Sequence, residues 1–421
     1  MLGLLAPEPS KHAILQYSDA ARMNALYSSR SESLSSAGTT AALASLGLGL
    51  ARTNSSDGST SADTIYTRPF APHNGRTYLN DPSMVYPLPV DLTELHRQSM
   101  RTLLLIQALG APACSPAHAA RPPKRVLEIG CGSGFWSMMC HRYFRDLGHG
   151  DISYTGLDIA PLAPPGGPGG AKPDPDMNWQ FVQHDIRVAP FPFPDGDFDL
   201  VMVKDMSLAV THTAQQDLVD EYLRLLRTGG YLEIWESDHK IRMLRPHAPD
   251  TAPASSSASS ATTADGEEEN SAAMALGAYV MTSNTPLSPP LNNYLVEYNS
   301  WVVRALELRD LSPVPCTLIG PMLLQESEEL ADVRSRRLAI PLSEVRWEKE
   351  GVGGVAALRR TALEIVVQSI QALEPMLREV SGKRADEWDA WVVKMAVDLM
   401  GEGGTAWGEC LEVGAWWAQK K

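Results

Sequence analysis

One stretch, Glu128-Ile129-Gly130-Cys131-Gly132-Ser133-Gly134, constrains the fold of this chain more than any other. It follows Arg125-Val126-Leu127-Glu128-Ile129, a short run with the pattern of a buried strand, and precedes Phe135 to Phe144, which reads as a helix. Three alternate glycines between a strand and a helix let the backbone turn sharply, approach a ligand closely and aim helix N–H groups at it. A dinucleotide fingerprint would need a third glycine where Phe135 stands, and a Walker loop would need a lysine that the turn lacks. Both readings are disfavoured.

The flanking pattern fixes the fold class. Tyr154 to Ile159, Trp179 to His184, Phe198 to Val203 and Tyr231 to Glu236 are further strand candidates, and the helix Gln215 to Leu226, closed by Gly229-Gly230, separates the last two. Asp91-Leu92-Thr93-Glu94 has the spacing of a helix N-cap with an acid at the third helical position, and that helix stops at Gly110. Alternating strands and helices predict a doubly wound α/β sheet with its ligand at the carboxyl ends of the strands.

Composition bounds the rest. The 421 residues carry 36 Lys plus Arg against 50 Asp plus Glu, a net charge of −14, which argues against a nucleic-acid coat or an anionic-membrane binder. Much of that acidity is local: Asp250, Asp265, Glu267, Glu268 and Glu269 lie in a stretch from Pro246 to Gly277 without Lys or Arg. The Ser/Thr/Ala/Gly-rich tract within residues 1–63 and the acidic stretch 246–277 cannot repay the entropy of ordering, and are expected to be a disordered tail and a disordered insertion. The remaining 64–421 reads as one domain: a cap helix at about 91–110, a ligand-binding core at about 121–240 and a C-terminal region of helices and strands at about 278–421. Asp195-Gly196-Asp197 lacks the glycine spacing of a calcium loop and reads as a turn. Five scattered cysteines without CxxC spacing suggest a reducing compartment and no structural zinc. The longest early apolar stretch, Ala41 to Ala51, is well short of the roughly 18 to 20 residues of a membrane helix. Cytosol or nucleus is the expected location, with no nucleic-acid or membrane partner and no metal.

The acid-GxGxG turn at the end of the first strand resembles the class I S-adenosylmethionine-dependent methyltransferases. The resemblance implies a Rossmann-like fold, a seven-stranded, mostly parallel sheet with helices on both faces, and S-adenosylmethionine as methyl donor. Carried over residue by residue, it implies donor contacts from Glu128, Gly130, Cys131, Gly132 and Gly134. It assigns Asp158, with Ile159, to the ribose hydroxyls, and Asp185 and Ile186 to the adenine. Asp205, after the fourth strand, matches a position beside the donor and reads equally as a turn residue. Tyr86 and Arg97 are candidates to close over the methionine end, or else ordinary packing and surface residues. NGRTY from Asn74, YPLPVDLTELHRQ from Tyr86, AIPLSEVRW from Ala339, the long helices Val355 to Val380 and Ala385 to Met400, and the terminal Val413 to Lys420 are similar to fungal methyltransferases related to the regulator-like enzymes of secondary metabolism. By that likeness Trp416 and Trp417 belong to the last strand.

Methyl transfer is an in-line displacement at a sulfonium, so alignment and desolvation can supply much of the acceleration, and a base is needed only for a protonated acceptor. His212 is the candidate base, with a structural or solvent-facing histidine as the competing reading; Glu236, Asp238 and His239 are weaker candidates. Tyr294, Tyr298 and Trp301 could line a pocket, but their helical spacing favours a core stripe. The implied activity is methylation of a small-molecule acceptor. A protein acceptor, or a donor-binding regulatory protein in a complex, is the alternative.

Overall fold

A computed structural model describes residues 65–246, 272–282, 284–348 and 356–421. All of them fall within one unit of the chain, Ser61–Lys421. The expected N-terminal tail, residues 247–271 of the expected insertion, and Val355 lie outside the described residues.

Five parallel strands form the centre: β3 (Arg125–Ile129), β4 (Ser153–Asp158), β5 (Asn178–Gln183), β6 (Phe198–Lys204) and β7 (Leu226–Ser237). They run side by side in the order β5, β4, β3, β6, β7. Strand β12 (Glu409–Lys420) adds antiparallel to β7, and β11 (Leu330–Pro341) adds antiparallel to β12. These are the seven strands the resemblance implied. Three short strands, β8 (Arg242–Leu244), β9 (Tyr279–Val280) and β10 (Leu287–Ser288), extend the sheet to ten. A separate hairpin pairs β1 (Phe70–His73) with β2 (Arg76–Leu79). The chain leaves β3 in one direction for β4 and β5 and in the other for β6 and β7, so the topological switch point, where ligands bind in such sheets, lies between β3 and β6.

Strands β3 and β6, at the middle, are buried along almost their whole length because helices cover both faces, whereas the edge strand β5 is half polar. On one face α4 (Gln215–Leu225) and α6 (Ile319–Gln325) pack Leu218, Tyr222 and Ile319 against Leu127, Val201, Ile234 and Trp416. Trp416 is buried there and Trp417 follows it on β12, as the terminal motif implied. On the other side, α1 (Leu92–Leu109) packs on α3 (Phe135–Asp146) and α7 (Ala356–Ala372). Asp91 caps α1 by accepting from the Glu94 N–H at 3.1 Å, and Gly110 ends it in the left-handed region.

Three boundaries differ from the expectation. The helix expected from Val355 to Val380 is two, α7 and α8 (Glu374–Ser381), because Pro375 lacks an N–H and suits only the first turn of a new helix. Helix α4 ends at Leu225 and β7 starts at the next residue, so Gly229-Gly230 does not close the helix but sits where the β6–β7 register shifts. The insertion expected through residue 277 ends sooner. Residues 272–275 form a helical turn, Ala273 and Ala278 are buried, and β9 pairs with β11.

Under the sheet, Glu233 is fully buried, accepting from the Cys114 N–H at 2.6 Å and the Trp235 ring N–H at 2.7 Å. Burial pushes its carboxyl up to about 7. A folded value above the unfolded one stabilises below about pH 4.5, and the contribution is lost as pH rises through about 7. Relative to Glu233→Gln, the wild type should therefore lose about 2 to 3 kcal/mol of stability between pH 5 and pH 8. Urea melts of both proteins across that range test this; parallel curves would refute it.

Candidate functional site

The glycine turn sits at the switch point and owes its shape to three left-handed residues, Gly130 (φ 65), Gly132 (φ 53) and Gly134 (φ 74). The N–H groups of Gly130 and Cys131 both donate to the Leu157 carbonyl, at 2.8 and 3.1 Å, which ties the turn to the end of β4. A Cβ on Gly130 would meet only the movable end of the Met206 side chain, so it is the left-handed backbone that calls for glycine here. One residue past Leu157, Asp158 accepts from the Gly132 N–H through Oδ2 and the Ala160 N–H through Oδ1, each at 2.8 Å. Two backbone donors thus fix a carboxylate whose pKa burial raises, and further lone pairs remain for a ligand.

Gly130, Gly132, Asp158 and Ile159 line a cavity of about 1470 Å³, mouth included. Asp185, Ile186, Asp205, Tyr86 and Arg97 line the same cavity. Nine of the twelve residues expected at the donor are therefore brought together. The other three are not on its wall. Glu128 turns toward α3, where it accepts from the Ser137 hydroxyl at 2.6 Å and the Ser137 N–H at 3.2 Å. It is a staple between strand and helix, and burial pushes it up to about 7. Gly134 is the N-cap of α3, backed by Pro173 and Trp179. Cys131 is buried behind the turn, close to Gly156, and burial holds its thiol well above the ordinary value.

Ion pairs occupy several of the lining side chains. Arg187 makes a two-pronged contact with Asp185 and also reaches Asp81 at 2.6 Å, so Asp185 holds the hairpin side of the cavity as well as facing it. Arg97 is forked onto Glu94 and reaches Ser369 on α7 at 2.9 Å, which neutralises it in place. Gln98 donates to the Tyr86 hydroxyl at 3.1 Å and to Glu94 at 3.0 Å, completing that wall. Asp205 adopts a left-handed φ of 57 and takes Arg101 at 2.7 Å and Lys204 at 3.0 Å. Burial would raise this carboxyl, but the two cations outweigh it and hold it well below the usual range. Arg101 was not singled out in the sequence, although it lies one helical turn after Arg97.

His212 does not reach this cavity. Its N–H donates to the Asp310 carbonyl at 2.9 Å, which draws the exposed residue to the rim of a second, smaller cavity. The histidine on the main cavity is His239, whose Nε2 lies 2.9 Å from the Ser207 hydroxyl. That hydroxyl donates to Glu236 at 2.8 Å, and the Ser207 N–H also donates to Glu236, at 2.7 Å. With the hydroxyl proton committed to Glu236, Nε2 is the donor to Ser207 and Nδ1 is the ring's acceptor. Burial, assisted by Arg101, pushes His239 down to about 3, so it is neutral at physiological pH. Burial and the Asp205 charge push Glu236 up to about 7. Tyr298 also lines the cavity and donates to the His239 carbonyl at 2.8 Å, while Tyr294 and Trp301 pack on Trp391. One of the three aromatics is thus at the pocket and two are packing residues.

Among the described residues, no cluster of three or more His, Cys, Asp or Glu side chains could hold a metal, and no helix is long and apolar enough to cross a membrane.

Residues 126–230 match the family model described as a methyltransferase domain. The chain is 31% identical over 175 residues to the secondary metabolism regulator laeA of Aspergillus niger, covering 41% of this chain and 42% of that protein. It is 32% identical over 117 residues to methyltransferase str3 of Strobilurus tenacellus, covering 28% of this chain and 36% of that one. It is 34% identical over 154 residues to a fatty-acid O-methyltransferase of Mycolicibacterium smegmatis, covering 37% and 48%. The chain thus spans less than half the length of these curated relatives.

Proposed function

We propose that this chain, which carries a class I methyltransferase domain related to those of fungal secondary metabolism, transfers a methyl group from S-adenosylmethionine to a small-molecule acceptor. The observation that carries the reading is the shared wall of the main cavity: a glycine turn in left-handed backbone and, beside it, the fixed carboxylate of Asp158. When bound, the donor supplies an electrophilic methyl on a sulfonium. Asp158 would accept the ribose hydroxyls, and Asp185 with Ile186 would face the adenine. Asp205, held by Arg101 and Lys204, would flank the methionine end.

The acceptor would lie against His239 and Glu236, with Tyr298, Ile365 and Val366 excluding water. In this reading Glu236 replaces His212 as the residue that takes an acceptor proton, because it lies on the cavity that holds the donor motifs and is pushed up to about 7, while His239 backs it through Ser207. The names of the Strobilurus and Mycolicibacterium relatives support an enzyme. The name of the Aspergillus relative favours the second reading, a donor-binding regulatory protein acting in a complex.

Calorimetric titration with S-adenosylhomocysteine tests the donor site that both readings need. Saturable binding at one site per chain is expected; no binding by the folded protein would sink both. Partner capture with and without donor then separates them, since only the regulatory reading requires the partners to change.

A further inference from the structure

The second cavity, about 570 Å³ with its mouth, lies between α4, α6 and the ends of β6 and β7. Its walls are apolar, with Val210, Leu218, Val219, Ile319 and Met322 among them, and His212 and Gln215 are polar lining residues. Met206, Val210 and Met322, like Ile186, Phe193 and Val333, are only partly buried against the core of this layer. Such a recess leaves apolar surface in contact with water unless something apolar fills it. Met206, Ser207 and Glu236 line both cavities. Met206 covers Gly130 of the glycine turn, and Ser207 links Glu236 to His239. The two spaces therefore share a wall at the polar cluster where an acceptor would be methylated.

We infer that the acceptor is amphipathic, with a hydroxyl-type head at Ser207, Glu236 and His239 and a hydrocarbon arm in the second cavity. This rests on the proposed methyl transfer for its head and on the shape and lining of the second cavity for its arm. A neutral hydroxyl suits the head site, because it can both donate to an oxygen of Ser207 or Glu236 and accept from a donor in the same cluster. No covalent step beyond methyl transfer is implied.

The test uses hexanol, octanol and decanol as probes, titrated into the full chain with and without saturating S-adenosylhomocysteine. Each added methylene buried in the arm site should tighten binding about fourfold. Val210→Trp and Met322→Trp, both at partly buried wall positions, should fill the recess, weaken decanol at least tenfold and flatten the chain-length dependence. S-adenosylhomocysteine affinity should stay unchanged in both variants, which also confirms that they fold. Chain-length-independent binding, or decanol binding untouched by both variants, would overturn the inference. Graded alkanol binding in a protein that does not bind S-adenosylhomocysteine would instead overturn the proposed methyl transfer and leave the apolar arm site standing.

Discussion

Asp158→Ala is expected to weaken S-adenosylhomocysteine binding by roughly 1.5 to 3 kcal/mol, a factor of about ten to a hundred and fifty. The carboxylate stands at the end of β4, held by the Gly132 and Ala160 N–H groups, each at 2.8 Å. Its position is set before any ligand arrives, so little ordering cost would offset contacts with the two ribose hydroxyls. Hydrogen bonds to a charged acceptor are the stronger kind, which is why the loss should exceed that of a neutral pair. Alanine also leaves two backbone donors without their acceptor, so a modest loss of stability should accompany the loss of affinity. Titration calorimetry beside a thermal melt separates the two. Unchanged affinity in the folded variant would mean that the ribose does not sit here, and the donor site would have to be redrawn.

The parts of this architecture that were legible in the sequence are those whose signals are local. Alternate glycines demand left-handed backbone, and Gly130, Gly132 and Gly134 supply it. Asp91 and Glu94 lie within one turn, and the cap they predict is present. Apolar residues within short runs placed β3 to β6 to within one residue, while β7 begins five residues before the expected Tyr231. What was not legible depends on contacts between distant segments. Arg101 and Asp205 are 104 residues apart, and Tyr298 meets the His239 carbonyl across 59. His212 follows the correct strand, but its backbone bond to Asp310 carries it to another cavity. Glu128 belongs to the motif, yet it turns toward Ser137 and away from the cavity. Strands of two or three residues, such as β8, β9 and β10, are too short to show any period.

The second large effect is expected from Arg101→Met. Arg101 reaches from α1 to Asp205 with Nε at 2.9 Å and Nη2 at 2.7 Å, and to the Ser237 hydroxyl at 2.7 Å. It is the bolt between the cap helix and the carboxyl ends of β6 and β7. Its side chain is 11% exposed and that of Asp205 is 22% exposed, so the pair is only weakly screened. Removing one partner of such a pair costs about 3 to 5 kcal/mol when the other is left alone. Lys204 remains beside Asp205, so about 2 to 4 kcal/mol is the expected loss in a urea melt. The Arg101→Met/Asp205→Asn double variant should recover more than about 1 kcal/mol relative to the sum of the single changes. Asparagine suits the comparison because it tolerates the left-handed backbone that Asp205 adopts. Strict additivity would show that the two side chains are neighbours without being coupled. S-adenosylhomocysteine binding should weaken with Arg101→Met as well, because the wall formed by Tyr86, Arg97 and Gln98 is held in place through α1 and the segment before it. A variant that loses stability but keeps full affinity would show that α1 stays docked without the bolt.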